Sequence, residues 1–418
     1  MAQLSNDCFA HGGALLPVDE AARLMAEHVP SVADAQPVTL ADAAGRILAE
    51  DLIAPIALPA FDNSAVDGYA VRNADVAHEG ETRLRVVDRV FAGSPAERVV
   101  GAGEAVHIFT GAPMPAGADT VYMQEDSKAE GDAVIVPAGL KIGANRRLAG
   151  EDIKAGALAL PAGRRLQPQD VALAAALGVE MLSVRRRLRV ALISTGNEIV
   201  EPGNPLPAFG LYDSNRFLLM GLLRKLGVEV SDLGILPDDP AALVSAIEGA
   251  AATHDLVLST GGVSTGEADH VKTAVEKLGR LMFWRLAIKP GRPVAMGVIG
   301  GKAFVGLPGN PVAVFVTFVH VVRPLILRLA GGSMEPTQAL PVRAAFSYRK
   351  KKGRREYVRV RLRPGGDGTL EAVKHPQEGA GIITSLTETD GLAELVEDRT
   401  TVEPDSSVGF LSYRLLID

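Results

Sequence analysis

Apolar positions change their period along the chain, and each change marks a new kind of element. From Pro17 to about Val29, Ala22, Leu24, Met25 and Val29 give an imperfect helical stripe, with Asp19 placed to cap it. A second short helix is predicted over residues 40–51. From about Ile53 the pattern turns to short strands punctuated by Pro and Gly, at 84–90, 105–108, 120–123 and 133–136, as in a small β-rich module. Residues 169–177 read as helix again, closed by Gly178. That return predicts an N-terminal linker/helical domain made of residues 14–54 and 153–186, with the β-rich module, 55–152, inserted into it.

Residues 187–332 follow another rule. Apolar runs at 188–193, 255–258 and 303–305 each lead into a Gly-containing turn and then helix-like sequence, and helices at 215–226 and 240–251 alternate with them. Such alternation predicts a parallel sheet covered by helices on both faces. The ligand crevice of that fold lies beyond the carboxyl ends of its strands. Residues 333–418 return to strands. Val358, Val360 and Leu362 face one way and Arg359, Arg361 and Arg363 the other, while 349–355 around Gly353 reads as a basic, solvated hairpin tip.

Composition narrows the class. A chain of 418 residues suggests roughly three or four domains. With 47% hydrophobic and 22% charged residues it builds real cores, which excludes pure disorder. A net charge of −7 argues against nucleic acid as a partner, so an anionic ligand needs a local basic site. The single cysteine, Cys8, excludes a disulfide within the chain and a thiolate zinc site. Residues 1–17 lack signal-peptide character, and the apolar stretches at 171–179 and 311–322 fall short of the ~20 residues of a spanning helix. The expectation is a cytoplasmic protein that contacts no membrane.

Candidate chemistry gathers at the predicted strand ends. Ser194-Thr195-Gly196-Asn197-Glu198, Ser259-Thr260-Gly261-Gly262-Val263-Ser264 and Gly306-Leu307-Pro308-Gly309-Asn310-Pro311 each follow an apolar run. Glycine lets backbone approach a ligand closely and frees N–H groups for anionic oxygens. In the third turn Asn310 is a natural N-cap and Pro311 a natural first helical residue, which aims a helix N-terminus at the crevice. Neither a Walker nor a dinucleotide fingerprint is present. Nearby acids, Glu198, Asp238, Asp239 and Asp269, suit Mg²⁺ bridging to phosphate, although Asp238 and Asp239 also suit capping before Pro240. Between 283 and 293, period two puts Arg285, Ala287 and Lys289 on one strand face, a receptor for an oxyanion. The inserted module has its own polar loops, Phe61–Ala70, Phe109–Pro113 and Arg146–Asp152, which a homodimer could bring to the partner's site.

FDNSAVDGYAV, FTGAPMPAGADTV, GEDI, STGNEI, LYDSN, STGGVSTGEADHVK, WRLAIKPGRP and GLPGNPV occur in this order. Together they closely resemble the MoeA family, which includes the E domain of gephyrin, over residues 14 to 330 and more loosely beyond Met334. The resemblance implies a homodimer of four-domain chains, each with a molybdopterin-binding-like α/β three-layer domain and a C-terminal β-barrel-like domain. It implies insertion of molybdate into adenylylated molybdopterin with release of AMP, assisted by Mg²⁺, and transient contact with an adenylyltransferase and with molybdoenzymes. Residues matching the family's functional positions are Asp67, Thr110, Arg147, Asp152, Glu198, Asp238, Asp269, Lys289 and Arg359. Arg285 stands where many relatives have Lys. The turn residues Thr195, Gly196, Gly261, Gly262, Ser264, Pro308, Gly309, Asn310 and Pro311 fall in the implied cofactor-binding set, and Glu198 and Asp269 are the implied Mg²⁺ ligands. The other readings are a pterin-binding scaffold or carrier without catalysis, a tungstate-specific insertase, and a nucleotide-hydrolysing α/β domain, which would have no use for the DNSAVDGYA module.

Overall fold

In the computed structural model, which describes residue 4 and residues 15–237, 239–261, 270–333 and 338–417, the three apolar runs of the α/β block lie side by side. The elements are β1 (Arg189–Thr195), α1 (Asn215–Lys225), β2 (Glu229–Leu236), α2 (Pro240–Thr253), β3 (Leu256–Thr260), α3 (His270–Leu278), β4 (Gly279–Arg285), β5 (Pro293–Ile299), β6 (Lys302–Leu307) and α4 (Pro311–Thr317). The sheet order is β2-β1-β3-β6-β5-β4. The first four strands are parallel, as expected, but β5 runs antiparallel to β6, and β4 antiparallel to β5, so the sheet is mixed. Gly300 and Gly301, both at positive φ, explain the reversal: they make a two-residue hairpin that leaves no room for a crossover helix.

Alternation along the parallel strands sorts side chains to two buried faces. Val190, Leu192, Leu256, Leu258, Ala303 and Val305 share a core with residues of α1 and α4. Ala191, Ile193, Val257 and Phe304 share another with residues of α2 and α3. Both faces are covered, which makes three layers. The helix begun by α4 continues through a π-turn, Phe318–Val322, into Arg323–Leu329. Its span Pro311–Leu329 is longer than the apolar stretch seen in the sequence and is apolar enough to cross a membrane by length and composition, but 72% of it is buried inside the protein. Its neighbours in that core include Val18, Ala21 and Met25 of the N-terminal helix and Tyr357, Leu392 and Leu411 of the C-terminal sheet, which accounts for the apolarity.

The N-terminal helix, Val18–His28, takes Pro17 as its N-cap instead of Asp19. Asp19 is used elsewhere, accepting bonds of 3.0 and 2.7 Å from Arg355. Residues 40–51 are not a helix. Only a 3-10 turn, Leu40–Asp42, forms, and the backbone beyond it bonds to Arg164 and Ser183 instead of to itself. Long-range pairing beats local propensity there. Ala35–Thr39 pairs with Met181–Arg185, and Leu52–Ile53 with Leu158–Leu160. Between those pairings the chain builds a separate six-stranded sheet from strands within 68–137, with its own two cores.

The C-terminal strands Leu340–Ala344, Arg355–Pro364, Leu370–Lys374, Gly391–Leu395 and Ser407–Ser412 close on themselves through pairing of Arg355–Pro364 with Gly391–Leu395, making a barrel. Val358 and Val360 point into its core. The opposite face is not solvated as the alternation implied: Tyr357 and Arg359 are buried against the rest of the chain, and only Arg361 and Arg363 remain outside. Arg355, expected at a solvated tip, is tied to Asp19, Glu394 and Glu397.

Candidate active site

The Gly-turns after β1, β3 and β6 meet at the carboxyl edge of the central sheet around a cavity of about 270 Å³. Its lining includes Ser194, Thr195, Glu198, Asn215, Thr260, Gly261, Gly309 and Asn310. The turns touch closely enough to require their glycines. Gly261 has φ +83°, and a side-chain carbon there would collide with the Thr195 carbonyl oxygen. At Gly196, with φ +142°, such a carbon would lie 2.8 Å from Glu198 Oε2. Asn215 ties the second turn to the third: its Nδ2 donates to Gly309 O at 2.7 Å and to Thr260 Oγ1 at 3.1 Å.

Several polar atoms at this edge are out of water and have no partner among the described residues: Ser194 Oγ, Thr195 Oγ1, Asn215 Oδ1 and Ser259 Oγ. Leaving a buried polar group unpaired costs about 1–3 kcal/mol, so a cluster of them is the signature of a site made for something else's donors and acceptors. The start of α1, which carries Asn215, is fixed by Arg216. Its guanidinium donates to Asp213 at 3.1 Å and to Asp232 at 2.8 and 2.6 Å, and it pairs with Glu201. Burial disfavours charge in this network, yet the hydrogen bonds outweigh it, lowering the Asp232 pKa and raising that of Arg216.

A second cavity of about 330 Å³ adjoins the first through Asn310 and is lined also by Lys289, Arg292, Pro308, Tyr348, Glu356, Arg359 and Lys374. It lies between the central sheet and the barrel. Lys289 Nζ donates to Tyr348 Oη at 3.1 Å and sits 3.3 Å from Glu356 Oε2. Burial pulls the Lys289 pKa down, but Tyr348 and Glu356 outweigh it and the net shift is upward, so the ammonium stays charged.

Arg285 and Lys289 do not share a strand face. The strand ends at Arg285, the chain bridges to Leu16 at Leu286, and Ile288–Lys289 joins the barrel beside Arg355 and Glu356. Arg285 is exposed and lines neither cavity. Sequence periodicity assumed one unbroken strand, whereas the Leu16 and Arg355 pairings break it. Arg359, also a cavity residue, spends its guanidinium on Ser385 Oγ (3.0 Å) and on the carbonyls of Gln377 and Gly379 (both 3.1 Å), so it shapes the loop that walls the cavity. Asn310 occupies the N-cap position of α4 without a side-chain cap, and the Val312 N–H donates to Ala380 O instead of pointing freely at the crevice. Asp239 does cap α2, accepting from Ala242 N at 2.7 Å.

In the inserted sheet, Asp67 Oδ1 accepts from both the backbone N and the hydroxyl of Thr110, each at 2.7 Å. Those bonds hold its pKa below the usual carboxylate range, with Asp67 half-buried and Thr110 exposed. Arg147 pairs with Asn63 in a short ladder, and Asp62 and Glu151 fasten the adjoining loop by accepting from Ala149 N and Leu148 N, both at 2.8 Å. Asp152 is exposed. Asp67, Thr110, Arg147 and Asp152 line neither cavity of their own chain. Asp238, Gly262, Ser264 and Asp269 lie outside the described residues. Among the described residues no group of three or more His, Cys, Asp or Glu could hold a metal ion. Sequence reasoning passed over Ser194, Asn215, Ser259 and Thr260 as individual groups, although each belongs to a quoted motif.

Residues 16–178 match the family described as MoeA N-terminal region (domain I and II), residues 191–328 the probable molybdopterin binding domain, and residues 341–413 the MoeA C-terminal region (domain IV). The molybdopterin molybdenumtransferase of Haemophilus influenzae is 39% identical over 397 residues, 94% of this chain and 98% of that one. The chain belongs to the MoeA family. It is thereby a transferase of molybdenum-cofactor biosynthesis, and among other relatives the molybdopterin molybdenumtransferase of a Nostoc species is 38% identical over 75% of the chain and 74% of its own length. The crystal structure of the molybdopterin biosynthesis MoeA protein of Pyrococcus horikoshii OT3 superposes with a TM-score of 0.81 at 31% identity, covering 96% of this chain and 100% of that one. The MoeA fold accounts for the barrel and the three-layer domain together.

Proposed function

We propose that this MoeA-family transferase inserts molybdate into adenylylated molybdopterin with release of AMP, at a site shared between two chains. The cluster of unpaired buried hydroxyls and amide oxygen at the carboxyl edge of the sheet is the observation that carries the reading. Ser194, Thr195 and Asn215 offer donors and acceptors to a polar heterocycle, and the glycine turns at Gly196, Gly261 and Gly309 bring backbone within reach of its phosphates. Gly262 and Ser264 belong to the second of these turns in sequence, and Asp238 follows β2 just before α2. Lys289, held charged beside Tyr348 and Glu356, attracts molybdate into the adjoining cavity. Arg285, separated from it by the strand break, is left out of that role.

Glu198 lines the crevice, and a single protein carboxylate with Asp269 and substrate phosphates is an adequate ligand set for Mg²⁺. Mg²⁺ bound there would neutralise charge on the anhydride as AMP leaves. Asp67 and Thr110, which line neither cavity of their own chain, would complete the crevice of a partner subunit together with Arg147 and Asp152. Tungstate, nearly the same size and charge, is the alternative oxyanion.

The test is AMP release from adenylylated molybdopterin by the purified protein with Mg²⁺, with molybdate, with tungstate and with neither. Release that depends on molybdate is expected. A well-folded protein that binds the pterin tightly and releases no AMP would reduce the reading to a carrier.

A further inference from the structure

We infer that the chain carries a second oxyanion site, at the end of the central sheet opposite the crevice. A cavity of about 310 Å³ there is lined by Gln36, Arg46, Arg186, Arg187, Arg189 and Glu229. Arg189 and Glu229 are paired first residues of β1 and β2, whereas Thr195, the last residue of β1, borders the crevice. At the usual rise per strand residue the two places are about 20 Å apart.

The charges in this cavity are not balanced by the protein. Arg186 is committed: it grips Asp255 through two bonds, at 2.7 and 2.9 Å, with Asp34 at 3.8 Å. Arg46 is only 9% exposed, and among the described residues its one side-chain hydrogen bond runs from Nη2 to the Arg185 carbonyl at 2.8 Å. Among the described residues, Arg46, Arg187 and Arg189 have no carboxylate within ion-pair distance. Glu229 is the one acid in the lining. Burial and the charge of Arg187 disfavour the Arg46 guanidinium, and Asp42 and Glu229 offset this only at a distance.

Arg187 and Arg189 are exposed, whereas Arg46 is held mostly inside the protein, so one fixed and two solvated guanidinium groups face the same cavity. The donors that Arg46 does not spend on Arg185 are not among the buried unpaired atoms; they stay accessible at the cavity that Arg187 and Arg189 also line, and there they are free to take an anion's oxygens. Converging arginines match the flat, bidentate demand of a tetrahedral oxyanion. The ligand class is therefore a doubly charged tetrahedral oxyanion, from either of two sources: a phosphate monoester or free molybdate.

Calorimetric titration of the purified protein with inorganic phosphate and, separately, with molybdate tests this. The expected result is saturable binding that weakens with salt and falls about tenfold or more in Arg187→Glu and in Arg46→Gln, but persists in Lys289→Ala, which disturbs only the crevice side. Arg187 is exposed, so its variant keeps the test meaningful even if Arg46→Gln folds poorly. Tighter phosphate binding would point to a phosphate ester and tighter molybdate binding to a store of substrate; either supports the site. No saturable binding of either anion, or binding unchanged in both arginine variants, would overturn it.

Discussion

Asp67 and Thr110 stand 43 residues apart and meet through two 2.7 Å bonds to one carboxylate oxygen. Because Thr110 is exposed and Asp67 lies outside the buried core, loss of the pair should touch folding little. Asp67→Asn is expected to cut AMP release at least about tenfold while the melting temperature stays put, in line with the small stability effects of surface substitutions. A melting shift as large as a core mutation's would mean the pair is structural. Neither the contact nor its partner was legible from spacing; the motifs named both residues, but only the antiparallel pairing of Gly68–Val71 with Glu104–Ile108 brings them together. Lys289 shows the limit from the other side. Its chemistry was readable, but its strand was not, because periodicity cannot see a pairing with residue 355.

At the scale of elements, α1 depends on a buried cation among three carboxylates. Replacing Arg216 by Met leaves the buried Asp213 with the backbone N–H of residue 216 but without its cation, and chemical denaturation should report a loss of about 3–5 kcal/mol, with the crevice weakened because Asn215 loses its anchor. A loss below about 1 kcal/mol would show that water replaces the pairing. The long helix offers a pH test. His320, stacked on Tyr357 at 4.3 Å, has an Nε2 without a partner among the described residues, and burial lowers its pKa to about 3. Between the ordinary value of 6.5 and about 3, the unfolded chain takes a proton that the folded chain refuses, so stability falls as pH falls through that window. The slope it adds approaches 1.4 kcal/mol per pH unit, and His320→Leu should flatten it. An unchanged slope in that variant would locate the acid sensitivity elsewhere. The strands of the three-layer domain were readable because both faces are apolar, and the edge hairpin was missed although Gly300-Gly301 announced it. Residues 40–51 misled for a physical reason: their backbone partners lie more than a hundred residues away.

Across the whole molecule, the groups carried by the sequence motifs fall into two places: the crevice with its neighbouring cation pocket, and the cluster of the inserted module, whose Asp67 and Thr110 line neither cavity. Motif order was enough to reach the family and the fold, because those motifs sit at strand ends and turns whose chemistry is local. Which module serves which crevice is a property of assembly and is not written in any one segment.

The most direct measurement mixes two inactive proteins. Asp67→Asn has a damaged module and an intact crevice; Glu198→Ala has the reverse. If each site takes its module from the partner, random exchange of subunits restores one intact site in half of the dimers, and AMP release should recover to roughly a quarter of the native rate. Recovery of that order is the expected result. A mixture that stays inactive, with subunit exchange verified by differently tagged chains, would contradict a site shared between two subunits.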